Sequence, residues 1–355
     1  MHDRSHVLIT GAAGFIGSSV ARVLVEAGVR VTGLDDLSAG RIERLDGFSR
    51  GAPFDFVQGD VRDRDLLLQT LLGASGAPVD SVLHLAGRVG VRRVLSDPIG
   101  CEEENLDGAR SVAAAVRLAR GQGRDLRVVA ASTSEVYAES SEPLSEASAL
   151  RPLVAEGRWR YAASKRASED VIDRMLAGAI HLRFFNVVGP GQDAASGMVL
   201  PRFIEAARRG EALRIHGRGQ QVRTFAHVDA VARDVAVLAA PWAFARAARA
   251  ARFQGPLNVG GTARATIAEL AEQVAQAVAL QTGQGLAPME LVDPSVDVAG
   301  NFEDVHHRVP DLGRLRSLGL AAEAFQSAPW ELEEILADAV QRHGSDALPC
   351  ELPVS

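Results

Sequence analysis

The chain has 355 residues, 47% hydrophobic and 23% charged, with a formal net charge of −7. Such totals describe a soluble globular protein of about two domains, or one large one, with a sizeable core. The acidic balance argues against nucleic acid as a partner, and Cys101 and Cys350 offer neither metal-ligand nor disulfide-framework spacing. A basic-then-apolar leader and a membrane-length apolar run are both missing, so a cytoplasmic protein with no membrane partner is expected.

The first apolar run, residues 6–10, stops at Gly11 and predicts a buried strand. Gly11-Ala12-Ala13-Gly14-Phe15-Ile16-Gly17 follows, then a helical pattern over 18–26. Strand, glycine turn and helix together form the context of a phosphate-cradling loop, although a plain tight turn has the same spacing. A second strand over 30–35 ends in Asp35 and is followed by Asp36, with Asp35 18 residues after Gly17. An acid there suits a ribose 2′-hydroxyl and repels a 2′-phosphate, which favours NAD over NADP. Further strands are predicted over 54–60, 79–85, 126–132 and 180–185, with helices over 63–72, 98–120 and 161–177. The alternation predicts an α/β fold, a Rossmann-like doubly wound parallel sheet. Gly11, Asp35, Asp60, Ala86 and Thr133 would then stand together at the carboxyl ends of the strands, where such sheets bind ligands.

Residues 139–157 and 187–197 read as loops. Beyond them the pattern is a smaller, mixed α/β C-terminal substrate domain. Helices are expected near 200–209, 228–240, 267–279 and 331–341, and strands near 213–215, 223–225 and 257–259. The Ala- and Arg-rich stretch 241–254 reads as a solvated helical extension. The predicted division is 1–186 as an NAD-binding domain to which 222–260 returns, 187–221 with 261–343 as the substrate domain, and 344–355 as a tail.

One position carries particular weight. Of the 38 Lys and Arg residues only Lys165 is lysine, and Tyr161, one of two tyrosines, stands four residues before it. That spacing puts both on one helix face, where the cation is expected to lower the phenol's pKa and make Tyr161 a usable acid or base.

The ordered motifs from about residue 5 to 320 resemble the extended short-chain dehydrogenase/reductase family, in its NAD-dependent nucleotide-sugar epimerase and dehydratase branch. They include the glycine loop, Asp35-Asp36-Leu37-Ser38, Gly59-Asp60-Val61, His84-Leu85-Ala86-Gly87, Ser132-Thr133-Ser134-Glu135-Val136-Tyr137, Tyr161-Ala162-Ala163-Ser164-Lys165, Arg183 to Gln192, Gln221 to Asp229 and Arg308-Val309-Pro310-Asp311. The resemblance implies an NAD cofactor, with Gly11, Gly14, Phe15, Ile16 and Gly17 at its pyrophosphate. Asp35 and Asp36 would hold the ribose, Asp60 and Val61 the adenine, and Leu85, Ala86 and Gly87 would line the cofactor cleft. Thr133, Tyr161 and Lys165 would be the catalytic triad, and Asn186, Arg223 and Arg308 would contact the substrate diphosphate. A homodimer through helices 98–120 and 161–177 is implied as well. Ala138, Arg218 and Ala226 depart from the family's pattern and bear on the fit of the sugar.

The shared first step would be oxidation at C4 of the sugar. The stretches Val89-Gly90-Val91 to Asp97-Pro98 and 197–203 look most like bacterial UDP-sugar 4-epimerases, so a 4-epimerase of the UDP-glucose or UDP-glucuronate type is expected. The alternatives are a 4,6-dehydratase, a uronate decarboxylase and, more distantly, a non-catalytic NAD-sensing protein. Glu135 is the residue on which this choice turns: dehydratases use an acid at that position, often with an Asp before it, and here Ser134 precedes it.

Overall fold

The computed structural model describes residues 6–48, 51–73, 77–153, 159–244, 247–293, 305–320 and 331–343; the expected tail, 344–355, lies outside them. Seven strands form the main sheet: β1 (His6–Thr10), β2 (Arg30–Asp35), β3 (Phe54–Gln58), β4 (Ser81–His84), β5 (Arg127–Thr133), β6 (Ile180–Phe184) and β10 (Gly255–Val259). Their order is β10-β6-β5-β4-β1-β2-β3, and every pairing is parallel. Strand order reverses between β1 and β4, which opens a crevice at their carboxyl ends.

Both faces of the sheet are covered, and this explains why β1 and β4 are buried at every residue, and Val128 to Ala130 of β5 likewise, rather than at alternate ones. On one face α1 (Phe15–Glu26) and α7 (Val228–Ala239) pack through Val20, Leu24, Val231 and Val235. On the other, α2 (Arg64–Leu72), α4 (Pro98–Gly121) and α5 (Arg160–Met175) pack through Leu67, Val112, Val116 and Ile172. Each fully buried aliphatic side chain contributes about 1.5–3 kcal/mol. Helix starts follow local chemistry. Asp63 caps α2 through the Asp65 and Leu66 N–H groups, and Asp97 caps α4, whose first residue is Pro98.

A second sheet is built around β9 (Val222–His227). It pairs antiparallel with β11 (Ala263–Thr266) and parallel with β7 (Asn186–Val188) and β13 (His307–Arg308). A parallel pair, β8 (Leu213–His216) and β12 (Met289–Val292), completes the strands. Around them lie α6 (Val199–Arg208), α9 (Ile267–Thr282) and α11 (Leu332–Gln341), sharing a separate core that includes Phe203, Phe225, Leu270 and Ile335. The short α10 (Gly313–Ser317) belongs instead to the main core, through the fully buried Leu315. Within 222–260, α7 and β10 lie on the main sheet while β9 lies in the second.

Two expectations need correction, over 187–197 and 241–254, and one short helix was not anticipated. Residues 187–197 are not all loop, because β7 adds to β9; a strand of three residues is too short to show a period. A short helix, α3 (Val91–Ser96), precedes α4 and ends where Pro98 opens the next helix. The stretch 241–254 is not a solvated helix. Among its described residues, α8 (Ala248–Arg252) is the α-helical part, Ala250 is fully buried, and Trp242, Phe244 and Phe253 pack against the main core. Arg127 holds α8 by donating to the Ala250 and Ala251 carbonyls.

Candidate functional site

A cleft of about 710 Å³ runs along the carboxyl ends of the strands, a volume suited to a sizeable organic ligand. One end is built by the loop joining β1 to α1. Gly11 has φ of +75°, and a Cβ on Gly17 would lie 2.1 Å from the Gly11 carbonyl oxygen, so helix and loop touch as only glycine allows. No side chain caps α1, whose N-terminal N–H groups are left to face the cleft. This is a fit for a pyrophosphate. Phe15 and Ile16 line the same wall.

Asp35, at the end of β2, accepts from the Ala13 and Leu37 N–H groups at 3.0 and 2.8 Å. Burial pushes its pKa up, and those N–H donors and the Arg44 charge oppose the shift. A fixed, buried carboxylate with lone pairs to spare can receive ribose hydroxyls. Asp36 lines the cleft beside it. Asp60 is held by the Arg62 fork and the Arg62 N–H, which keep its pKa below the usual carboxylate value. Val61 lies next to it, and Leu85, Ala86 and Gly87 form the wall after β4. These residues fit a dinucleotide such as NAD.

At the other end β5 delivers Thr133 and a 3-10 turn, Ser134–Val136, carrying Glu135. The Thr133 hydroxyl accepts from the Glu135 N–H at 3.2 Å and stands on the cleft wall with Tyr161, whose pKa it draws down. The turn is anchored from behind. Tyr137 donates to Asn258 at 2.6 Å, and Arg183 reaches Tyr137 while making a two-pronged buried pair with Glu169. Removing one partner from such a buried pair costs about 3–5 kcal/mol.

Tyr161 and Lys165 both face the cleft from α5. The expected effect of the lysine on the phenol is not what the geometry gives. Burial pushes the Tyr161 pKa up, the charges of Glu135 and Cys101 push the same way, and the Thr133 hydroxyl and Arg308 oppose them. Reasoning from charge alone omitted desolvation, and it also omitted Glu135. Lys165 is itself buried, donates to the Ala131 carbonyl at 3.4 Å, and is brought down to about 8 by desolvation. Beside it stands His84, buried and pulled down to about 3 by desolvation and by Lys165, so it is neutral and bonded to Thr10 at 2.8 Å.

A lowered lysine pKa implies a folding cost. At neutral pH Lys165 is charged both folded and unfolded, and the shift from 10.5 to about 8 corresponds to about 3 kcal/mol. The penalty is full below pH 8 and fades as pH rises to the unfolded value. Lys165→Met is therefore expected to raise the unfolding free energy by about 1–3 kcal/mol at pH 7, a gain shrinking toward pH 10.5, while turnover is lost. Denaturant titrations at the two pH values check this; equal or lower stability at pH 7 would count against it.

Arg308, on β13, donates to Glu135 at 3.2 Å, and its other terminal nitrogen is buried with no hydrogen-bond partner. Asn186 lines the cleft and donates to the Thr224 carbonyl at 2.9 Å. Arg223 is the one predicted site residue that does not reach the cleft wall. It lies opposite Arg308 in the β9–β13 register and turns back to the Val222 carbonyl.

Several cleft residues were not anticipated. Arg88 and Arg93 come from the loop after β4 and from α3, Ser196 and Met198 from the approach to α6, and Arg44 from the segment after β2. The position of Arg88 and Arg93 just after the motif at Ala86 and Gly87 was the available signal for the first two. Asn105 of α4 clamps this loop, accepting from the Arg88 N–H and donating to the Arg88 carbonyl and the Ser164 hydroxyl.

Comparison with known proteins bears on the same site. The model of the NAD dependent epimerase/dehydratase family matches residues 7–260. A UDP-N-acetyl-alpha-D-glucosaminuronate decarboxylase from Bacillus cytotoxicus is 30% identical over 92% of this chain and 95% of its own. A UDP-glucose 4-epimerase from Mycolicibacterium smegmatis is 34% identical over 81% of this chain and 87% of its own. Among solved structures, a Thermus thermophilus UDP-glucose 4-epimerase in complex with NAD superposes with a TM-score of 0.73 at 26% identity, covering 95% of this chain and 98% of that one.

Proposed function

The chain belongs to the NAD-dependent epimerase/dehydratase family, and from that membership we propose that it oxidises C4 of a UDP-linked hexuronate and resolves the 4-keto sugar by loss of CO₂. The observation that carries the choice of reaction is the Arg308–Glu135 ion pair, set beside Thr133 and Tyr161. A C4 ketone makes the C6 carboxylate of a hexuronate a β-keto acid, which needs little further help to lose CO₂. What it needs is a cation to seat the carboxylate and an acid to return a proton to C5. Arg308, which the resemblance would put at the substrate diphosphate, has a buried N–H group with no hydrogen-bond partner that suits the first task instead, and Glu135, 3.2 Å from it, suits the second.

Bound NAD supplies the acceptor and later the donor of the C4 hydride, and its charged ring favours the phenolate. Tyr161 takes the O4 proton, with the Thr133 hydroxyl holding O4 and the phenol in line. Lys165 supports the phenolate from behind. As the carboxylate binds Arg308, Glu135 is freed from the pair. The C5–C6 electron pair moves onto the C4–C5–O4 unit as an enolate while CO₂ leaves, and Glu135, having taken up a proton from water once released from Arg308, delivers it to C5. Tyr161 finally returns its proton to O4 and the net redox change is zero. Ser134 has no ionisable proton to expel a C6 hydroxyl, which argues against the dehydratase alternative.

The second reading is the 4-epimerase expected from sequence. It is supported by the Mycolicibacterium relative and by Val89 and Gly90, which line the cleft. The two separate on products. The protein is incubated with UDP-glucuronate, UDP-N-acetylglucosaminuronate, UDP-glucose and UDP-N-acetylglucosamine, and products are followed by NMR with capture of carboxyl-labelled CO₂. A UDP-pentose with stoichiometric CO₂ is the expected result. A 4-epimer with no CO₂ selects the second reading, and a 6-deoxy-4-keto sugar defeats both.

A further inference from the structure

Arg44 does something that neither the glycine loop nor the catalytic end explains. It lies in a 3-10 turn, Ile42–Leu45, and is almost fully buried although it is an arginine outside every sheet. One terminal nitrogen donates to the Ala13 carbonyl at 3.2 Å, within the loop between β1 and α1. The other donates to the Gly191 carbonyl at 2.6 Å, in the loop after β7 that leads to α6. A second tie runs parallel to it. The Arg41 N–H also donates to the Ala13 carbonyl, at 3.0 Å, and the Arg41 side chain pairs with Asp193 at 3.6 Å. Gly191 has φ of +77°, a conformation that aims its carbonyl back across the gap with no steric cost.

The two segments joined in this way both line the cleft. Gly14 and Asp35 line it beside one, Gln192 and Asp193 beside the other, and Arg44 lines it too. A rigid planar fork, with donors fixed in two directions, suits two carbonyls on different segments. We infer that Arg44, backed by the Arg41–Asp193 pair, is a clasp across the mouth of the dinucleotide cleft that sets the rate at which NAD enters and leaves. The device suits a cycle in which hydride is taken from a sugar and given back to it, because the cofactor then has no reason to exchange between turnovers. The inference rests on the family's use of NAD and is independent of what becomes of the keto sugar.

A clasp and a direct ligand contact differ kinetically. Losing a contact speeds release and leaves entry alone. Losing a clasp speeds both, so affinity falls less than the release rate rises. The test measures binding and chase of radiolabelled NAD on the full chain, with no sugar present, in wild type, Arg44→Met and Arg44→Lys. For Arg44→Met, entry and release are both expected to rise at least tenfold. Arg44→Lys is expected to fall between, since an ammonium keeps the charge and donors but not the rigid fork that fixes both carbonyls at once. Release faster with entry unchanged would make Arg44 a ligand contact and overturn the clasp. Both rates within twofold of wild type would overturn it as well, even if thermal stability fell. Should Arg44→Met fail to fold, Arg44→Lys is judged by the same two rates.

Discussion

Tyr161→Phe is expected to lower kcat by at least 10³-fold on whichever nucleotide sugar the protein turns over, with an unchanged far-ultraviolet spectrum and NAD still bound. The expectation comes from position. Tyr161 lines a cleft whose other walls fit a dinucleotide, and Thr133 and Glu135 line it as well, close enough to move the phenol's pKa. Removing a general base that must move the O4 proton twice per cycle costs more than one proton-transfer contribution, itself about 10²–10⁴. The direction of its pKa sharpens the claim. Burial and Glu135 hold the phenol protonated, so the rise of activity with pH should be governed by Tyr161 and should move to lower pH once NAD is present. Steady-state kinetics over a pH range at subsaturating and at saturating NAD, with ultraviolet titration of the tyrosinate in the free and NAD-bound protein, measure this. Wild-type turnover by Tyr161→Phe would remove Tyr161 from the chemistry and with it the proposed C4 oxidation.

The parts of this site that the sequence reveals are those held within a few residues of one another. Gly11, Gly14 and Gly17 announce themselves because a strand stops at the first and a helix starts near the last; all three line the cleft. Asp35 was legible for the same reason, being the last residue of a strand whose length is easily read. Tyr161 and Lys165 are one helical turn apart, so their shared face follows from spacing alone. Their electrostatics did not follow. Which way the phenol shifts depends on the depth of burial and on Glu135, and neither is a property of the helix. Contacts between distant segments were equally invisible. Glu135 and Arg308 are separated by 173 positions, and Arg44 and Gly191 by 147. Arg223 differs from the other expected site residues in not lining the cleft. A motif placed it in the substrate site, but its side chain folds back on its own strand, and a rotamer is not written in a motif. The mistaken helix over 241–254 has a similar origin. Alanine and arginine favour a helix, and the packing of Trp242, Phe244 and Phe253 against the core prevails over that preference.

The second large effect concerns the pair that divides the possible reactions. Glu135→Gln keeps the shape of the side chain and its hydrogen bond to Arg308 but removes the charge and the transferable proton. With a UDP-hexuronate it is expected to cut CO₂ release by at least 10²-fold, about one proton-transfer contribution, while a single turnover still generates the reduced-cofactor absorbance of C4 oxidation. Arg308→Met removes the seat for the carboxylate and is expected to raise KM for the hexuronate at least tenfold, since the guanidinium's charge-assisted contacts are lost. The same change should matter little to a neutral UDP-hexose tested alongside. Because the two side chains touch at 3.2 Å, the double variant should fall short of the product of the single effects, as partners in one interaction do. A purely structural strut predicts otherwise: both single variants would lose stability, and product identity and the ratio of hexuronate to hexose turnover would stay the same. That second pattern, measured in the same assays, would return the pair to a scaffolding role and leave 4-epimerisation as the better account of the keto sugar.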